Sequence, residues 1–235
     1  LLFVPLLVRL RIQGGFVTSM VVALHIYTLS AFNIEIFLNE LYIIAIGMGI
    51  AILVNSIMPD LKKNIASYKE KIEKTFSTIL YEFSVHLVDQ KREWDGKELL
   101  EVEETIEQAK SLVIQDVENH LLRKLNKDYY YLDMREDQLD VLNQMMRIVA
   151  EIFTSDVQVE QRQMIADILE HLSKHVDDRD TTDDSLNRLE TCMVSIREAK
   201  LPKTRGEFEV RANLFYLVFE IENYLNIKKK LFAKI

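Results

Sequence analysis

The feature that most constrains this chain is a pair of apolar stretches near its start that contain no charged residue. No Asp, Glu, Lys or Arg occurs in residues 12–34 or in residues 41–59. A helix needs about 20 consecutive apolar residues to cross a bilayer, and each stretch is about that long. The pattern predicts a transmembrane hairpin with spans at about 14–34 and 40–58.

The charge of the chain lies almost entirely after the hairpin. Residues 1–58 hold as many basic as acidic residues, so the remainder carries the whole net charge of −8. An acidic segment has no basic patch suited to a phosphate backbone, and no nucleic-acid partner is expected. We predict a transmembrane region over 1–59 and a cytoplasmic helical C-terminal domain over 60–235. We expect Leu1–Leu10 to be the end of an earlier span.

Basic residues predict the orientation of the hairpin. Two arginines precede the first full span and four lysines follow the second, whereas the turn at 33–40 has two glutamates and no basic residue. Because basic loops stay in the cytoplasm, both chain ends are expected inside and the turn outside. The expected location is the plasma (inner) membrane, as a multi-pass protein with a cytoplasmic C-terminal domain. The basic residues are Arg9, Arg11, Lys62, Lys63, Lys69 and Lys71.

Apolar residues recur at helical spacing after the hairpin. From Asp60 they step by three or four, which predicts a helix of about 30 residues with one buried face. This face consists of Ile65, Tyr68, Ile72, Phe76, Ile79, Phe83 and Leu87. The sequence Trp94-Asp95-Gly96 predicts a break, after which Asp95 caps a new helix and Glu98 follows three residues later.

Five more helices are predicted in this part. The first four cover roughly 97–124, 129–153, 157–175 and 184–200. The last follows a capping-box pattern at Thr204 and Glu207. Its apolar stripe is Phe208, Leu214, Leu217, Ile221 and Leu225. The predicted fold class is all-α: the C-terminal part of a polytopic membrane helix bundle, followed by a cytoplasmic antiparallel helical bundle.

Four residues of the first region are candidates for a substrate path: Arg9, Arg11, His25 and Asn55. Arginine holds a carboxylate through two parallel hydrogen bonds. Polar groups inside a membrane are costly and often functional. The alternatives are that the arginines only set the topology, and that His25 and Asn55 form hydrogen bonds that pack the helices.

Small residues recur in the second apolar stretch. Ala45 and Gly49, and Gly47 and Ala51, are each four residues apart. Such pairs let helix backbones approach closely in lipid. We expect a helix-packing role, in an intramolecular contact by preference or otherwise in a dimer face.

No motif for soluble catalysis or for a cofactor is present in the sequence. It contains no phosphate-binding loop, no dinucleotide glycine motif and no nucleophile elbow, and Cys192 is its single cysteine. His171 and His175 have the i, i+4 spacing of a metal-binding pair, but the glutamate of a zinc protease does not lie between them. We interpret them as a solvated helix face, and we expect no enzyme activity, no cofactor and no metal site.

Three consecutive tyrosines, Tyr129–Tyr131, precede Met134 and Arg135. One interpretation is that they line a pocket for an aromatic ligand. The favoured interpretation is a helix start whose rings pack in the bundle while their hydroxyls stay in water.

Three segments carry a family resemblance. In Asn55–Asp60 a membrane span runs directly into a charged helix, Asp128–Arg135 is a tyrosine-rich Met-Arg motif, and Leu201–Ala212 belongs to the closing segment of the C-terminal domain. In this order they resemble the aromatic acid exporter family of bacterial inner-membrane proteins, which is related to efflux proteins of the fusaric-acid-resistance type. The resemblance implies further membrane spans, a cytoplasmic helical C-terminal domain and export of aromatic carboxylic acids or related compounds.

The favoured hypothesis is an exporter of aromatic or related organic acids. Its expected partners are the lipid bilayer, an organic-acid substrate and further copies of itself in a homo-oligomer, with the C-terminal domain serving assembly or regulation. The alternative is a membrane-tethered interaction or oligomerisation module without transport activity. An anion channel would share the same architecture as a carrier.

Overall fold

A computed structural model describes residues 9, 16–28, 34–57, 61–89, 93–119, 127–152, 159–177 and 181–234. Every regular element within these ranges is a helix, which confirms the all-α prediction. The chain divides into two compact units, residues 1–59 and residues 60–235.

The first unit contains helices α1 (Phe16–Thr28) and α2 (Ile34–Ile57). The predicted turn at 33–40 is therefore wrong from Ile34 onward. The reason is that Glu35 lies in the first turn of α2, where a carboxylate favours the positive end of the helix dipole. Along all the described ranges, no helix combines the length and the apolar character needed to cross a membrane.

Within its described residues, the second unit contains six helices, as predicted, with bounds close to the expected ones. They are α3 (Lys62–Val88), α4 (Lys97–Asn119), α5 (Lys127–Glu151), α6 (Val159–Lys174), α7 (Thr181–Glu198) and α8 (Arg205–Lys234). Helices α3, α5, α6 and α8 form the centre, because α3 packs on α6 and α5, and α8 packs on α5 and α6. Helix α4 covers α3 and α5 on one side, and α7 covers α6 and α8 on the other. The result is a closed helical bundle with two flanking helices.

The bundle core follows the predicted stripes with one exception. All members of the α3 stripe are buried except Tyr68, which is half-buried. In α8, Phe208 was expected inside but its residue surface is 63% exposed. The buried residues there begin with Val210, and two residues along a helix turn a side chain by about 200°. Phe208 therefore lies on the opposite face from Val210.

Two loops position the helices by local chemistry. Gly96 has φ +70, the left-handed conformation that glycine adopts without steric cost, and the α3–α4 connection turns there. Before α8, the backbone N–H of Glu207 donates to Thr204 Oγ1 (3.2 Å), as the capping pattern predicts. The Glu207 carboxylate accepts from the backbone N–H of Lys203 (2.6 Å). The start of α8 is thus fixed by side chains on both sides of the cap.

Candidate functional site

The two helices of the first unit are joined by a pair of ionisable side chains. His25 Nδ1 lies 2.7 Å from Glu40 Oε1, which is a hydrogen bond and becomes an ion pair when His25 is protonated. Glu40 is only 7% exposed, whereas the His25 side chain is 55% exposed. His25 lies in the last turn of α1, and Glu40 lies in the second turn of α2. The pair therefore consists of a buried carboxylate and an exposed imidazole.

The other residues predicted for a substrate path are less fully described. Arg9 is helical and exposed, and Arg11 lies outside the described residues. Asn55 belongs to the last turn of α2, but its side chain also lies outside the described set. A role for these three residues in a substrate path stays a prediction.

The small residues of α2 lie on open surface within the described part of the unit. Ala45, Gly47 and Ala51 are exposed, and Gly49 is half-exposed. A Cβ added at Gly47 or Gly49 meets no heavy atom within 4 Å. The described residues thus make no close intramolecular contact at the two glycines, and the helix-packing role stays a prediction.

Large apolar side chains cover the outside of α1 and α2. They include Met20, Leu24, Ile34, Leu41, Ile46, Ile50 and Leu53, which are all at least half-exposed. Extended apolar surfaces of this kind mark contact with a lipid or protein partner, because water contact with so much apolar area is unfavourable. The first unit thus combines an apolar exterior with one ionisable pair.

The second unit has a buried polar network around Arg135, which is 1% exposed. Its Nε donates to Tyr131 Oη (3.0 Å) and its Nη1 to Gln138 Oε1 (3.0 Å). The Tyr131 hydroxyl in turn donates to Glu73 Oε1 (2.6 Å), and Arg135 Nη2 lies 3.7 Å from the same oxygen. Arg135 Nη2 also donates to Val176 O (3.2 Å), just after the end of α6. The network therefore ties α5 to α3 and to the end of α6.

The charge state of this network follows from its surroundings. Burial by itself disfavours the charged guanidinium, but Tyr131, Tyr224 and Glu73 outweigh burial and raise the pKa of Arg135. Burial also disfavours the charged form of Tyr131 and therefore raises its pKa, so that its hydroxyl stays protonated and able to donate. A charged, well-partnered arginine at a helix C-terminus stabilises the helix dipole. We therefore assign the Arg135 network a role in stabilising the bundle.

The structure supports the packing interpretation of the three tyrosines, Tyr129–Tyr131. Tyr129 and Tyr131 are half-buried against the core, and the Tyr130 ring is 43% exposed. The expectation that all three hydroxyls stay in water is wrong for Tyr131, because its hydroxyl joins the Arg135 network. The tyrosines thus start α5 and anchor it to α3.

His171 and His175 stack on one another, with ring centroids 4.5 Å apart. His175 Nδ1 lies 2.8 Å from the backbone oxygen of His171. Burial, followed by the charges of Arg188 and His175, lowers the pKa of His171. In the part of the chain that the structure describes, no group of three or more His, Cys, Asp or Glu side chains could hold a metal ion.

Sequence reasoning missed two of the residues that organise these sites. Glu40 was assigned to the turn, although an acidic residue beside an apolar stretch that contains a histidine is itself a signal for a buried pair. Arg135 lies at helical spacing from Leu132, Leu139 and Leu142, which are all buried. That position on an apolar stripe predicts a buried arginine, which needs partners.

Comparison with known proteins assigns both units to one family. Residues 62–229 match the family described as "Putative aromatic acid exporter C-terminal domain", and residues 1–58 match "Aromatic acid exporter family member 1". A relative in Bacillus subtilis (strain 168), "Uncharacterized protein YqjA", is 38% identical over 228 residues, which cover 97% of this chain and 70% of that protein.

A solved structure gives the same fold for most of the chain. It is described as "Crystal structure of putative membrane protein from Clostridium difficile 630" and has a TM-score of 0.58 with 21% identity. The match covers 72% of this chain and 99% of the solved one. Because both family matches together cover nearly every residue, this chain belongs to the aromatic acid exporter family.

Proposed function

We propose that this chain forms part of a membrane exporter of aromatic or related organic acids, in which the His25–Glu40 pair belongs to the substrate path. The observation that carries the proposal is that pair, since two ionisable side chains meet between otherwise apolar helices. Ionisable groups retained in such surroundings commonly mark substrate or ion pathways. The family assignment supports the same reaction class, which is transport rather than catalysis.

The apolar exterior of α1 and α2 supports placing them against lipid. The large exposed side chains lie along the whole described length of α2, from Ile34 to Val54. Lipid is the solvent in which such a surface has no unfavourable contact with water. In this proposal the unit belongs to a multi-pass domain of the plasma membrane, and the acidic bundle is cytoplasmic because basic residues flank both ends of the hairpin.

The pair offers a mechanism for binding a carboxylate. A protonated imidazole donates a charge-assisted hydrogen bond to a carboxylate. In the structure, the carboxylate of Glu40 lies at hydrogen-bond distance from His25. The carboxylate of an organic acid has the same chemistry, so it can compete with Glu40 for His25. By helical spacing, Tyr27, Glu35 and Tyr42 point away from the face of this pair. These three side chains are therefore not placed to compete with the substrate for the pair.

The test is efflux from cells that carry the complete gene, after preloading with a panel of aromatic acids. His25→Gln should lower the efflux rate roughly tenfold or more, because it removes the charge-assisted hydrogen bond to the substrate carboxylate, and Glu40→Gln should lower it to a similar extent, because no charged group then displaces the bound carboxylate for release. Met48→Ala, which changes an exposed apolar residue of α2, is the matched control and should export normally. Normal efflux in both His25→Gln and Glu40→Gln, with protein levels in the membrane unchanged, would contradict the role of the pair.

The bundle is proposed to assemble or regulate the membrane part. If no acid is exported although the protein is correctly inserted, the alternative of a membrane-tethered interaction module replaces the exporter. Removal of residues after Asp60 distinguishes the two roles of the bundle. Loss of oligomers indicates assembly, whereas a changed rate with unchanged oligomers indicates regulation.

A further inference from the structure

A small pocket lies on the surface of the bundle between the end of α7 and the first half of α8. Its volume is about 220 Å³, and it is lined by Ile196, Arg197, Phe208, Arg211, Ala212 and Phe215. An enclosed cavity of about 150 Å³ is large enough to bind benzene. The pocket therefore has room for a ligand with a single aromatic ring.

The two arginines of this pocket have no carboxylate partner among the residues that the structure describes. Among the described residues neither Arg197 nor Arg211 lies within ion-pair distance of an Asp or Glu side chain. The chain as a whole has 37 acidic and 29 basic residues, so two neighbouring arginines without an acidic partner are unexpected. Because the walls of the pocket itself are almost entirely apolar, this positive charge is available to an anion at the surface beside the pocket.

Arg211 is held in place by the end of α7. Its Nη1 donates to Lys200 O and its Nη2 to Arg197 O, each at 3.1 Å. These bonds satisfy carbonyl groups at the helix C-terminus and fix the guanidinium, while its Nε–H and two further N–H groups remain for another acceptor. A fixed donor loses little conformational entropy when it binds a ligand.

The walls of the pocket favour an aromatic ring. Phe208 is 63% exposed, although it belongs to a helix whose other face is well buried. The guanidinium of Arg197 lies 5.5 Å from the centre of the Phe215 ring, and Phe215 meets Phe219 edge to face at 5.1 Å. Aromatic rings prefer such offset or edge-to-face neighbours. A flat ring placed between Phe208 and Phe215 would remove apolar surface from water.

We propose that this pocket binds an aromatic carboxylate, with the ring against Phe208 and Phe215 and the carboxylate on Arg197 and Arg211. An arginine guanidinium binds a carboxylate through parallel hydrogen bonds, which a neutral aromatic compound does not offer. The larger groove nearby, between the same two helices, is also lined by Arg197 but contains Glu190 and Glu222, which repel an anion, whereas no carboxylate lines the smaller pocket. The smaller pocket is therefore the one with charge complementarity to an acid.

The consequence for transport rests on the proposed function. An acid bound here contacts both α7 and α8, so occupancy stabilises their packing. The bundle then responds to the concentration of the same class of compound that the membrane part exports. Binding itself does not depend on export, and the two claims are tested separately.

The binding test uses the full chain purified in detergent and titrated calorimetrically with benzoate. All titrations are made in the His25→Gln background, so that a carboxylate site in the first unit is weakened. Acetate supplies the carboxylate without the ring, and benzyl alcohol supplies the ring without the carboxylate. Benzoate should bind at one site per chain, and each partial ligand should bind roughly tenfold more weakly or worse.

The variants separate a specific site from a general surface effect. Arg197→Gln and Phe208→Ser both change exposed side chains, so the bundle should stay folded. Each should weaken benzoate binding roughly tenfold or more. Arg188→Gln is the matched control, since Arg188 is an exposed arginine of α7 that pairs with Asp184, and it should bind as the parent does.

Absence of benzoate binding at millimolar concentration would overturn the proposal, as would equal binding by the parent and the Arg197→Gln variant. A second copy of the chain that occupies the pocket would appear as an Arg197-dependent oligomer and would also overturn it. Arg197-dependent binding in a protein that exports no acid would leave the pocket in place and remove the exporter.

Discussion

The two units of this protein place their polar and apolar groups in opposite ways. In the first unit, large apolar side chains cover the outside, and Glu40 is buried against His25. In the bundle, apolar side chains fill the centre, most charges face outward, and the buried Arg135 is surrounded by partners. A buried charge thus has different surroundings in each unit: a polar network in the bundle and apolar helices in the first unit. The Arg135 network joins three helices, whereas the His25–Glu40 pair is the one for which we propose exchange of partners with a substrate.

The largest expected effect is on the Arg135 network. Arg135→Leu leaves Gln138 Oε1 and the Val176 carbonyl buried without their donor and removes the positive charge beside the half-buried Glu73, which should lower the free energy of unfolding by about 3–5 kcal/mol. Trp94 is the single tryptophan of the chain, and its ring packs on Phe83, so its fluorescence reports unfolding of the bundle within the full protein. Urea titration followed at Trp94 gives the change.

Two controls complete this test of the comparison. Arg188→Leu removes an exposed i, i+4 pair with Asp184 and should change the free energy of unfolding by no more than about 0.5 kcal/mol. His25→Gln should leave the Trp94 transition unchanged, because His25 belongs to the first unit. A bundle that tolerates Arg135→Leu as well as Arg188→Leu would contradict the structural role of the buried Arg135 network.

A smaller loss is expected when one link of the same network is removed. Tyr131→Phe deletes the hydroxyl that donates to Glu73 and accepts from Arg135, and it should cost about 2 kcal/mol of unfolding free energy. Tyr130→Phe, which changes an exposed ring next in sequence, should have little effect. Equal unfolding midpoints for the two variants would show that the hydroxyl of Tyr131 contributes nothing.

At the turn around Gly96 we expect a change in stability that comes from the backbone conformation. Gly96→Ala forces a side chain into the left-handed conformation and onto Met146, so it should destabilise the bundle by about 1–2 kcal/mol. Gly206→Ala is the matched control, because Gly206 lies in the first turn of α8 with open space around it. There alanine should stabilise by about 0.5–1 kcal/mol. Changes of the same sign in both variants would contradict this explanation.

The smallest expected effect is a pH dependence from His171. Burial lowers its pKa in the folded bundle below the ordinary 6.5, so the unfolded chain binds the proton more readily. Stability should therefore be unaffected by this group above pH 6.5 and should fall as the pH drops below 6.5 through the lowered folded value. The charged neighbours are Lys174 and His175 on α6, and Asp184 and Arg188 on α7.

His171→Gln isolates this contribution. The difference in unfolding free energy between the parent and the variant should be constant above pH 6.5 and should change in favour of the variant below it. Glu160→Gln, at an exposed position about three turns away on the same helix, serves as the control. A difference that stays constant from pH 7.5 to 5 would remove His171 as a source of pH dependence.

Helix positions were largely predictable because apolar spacing and capping residues are local signals. The α3 stripe and the cap at Thr204 agree with the structure. The start of α2 was not predicted correctly. We placed the span where charged residues are absent, whereas the helix also contains Glu35 and Glu40. Phe208 was misplaced because a hydrophobic residue near a stripe need not share its angular position.

The candidate sites were less predictable, because their geometry joins residues that are distant in sequence. His25 was nominated by its chemistry, but its pairing with Glu40 depends on how α1 and α2 meet. Arg135 finds partners on α3 and after α6, and no local pattern specifies them. Arg197 and Arg211 are recognisable as a site only once the end of α7 and the start of α8 are adjacent.

The most direct measurement of the central claim is the gene-dependent loss of preloaded aromatic acids from cells that carry the complete gene. We expect at least one acid to leave faster than from cells without the gene, and His25→Gln and Glu40→Gln should each reduce this difference roughly tenfold or more, whereas Met48→Ala should not. If no acid leaves faster although the protein is correctly inserted in the membrane, the exporter account is contradicted.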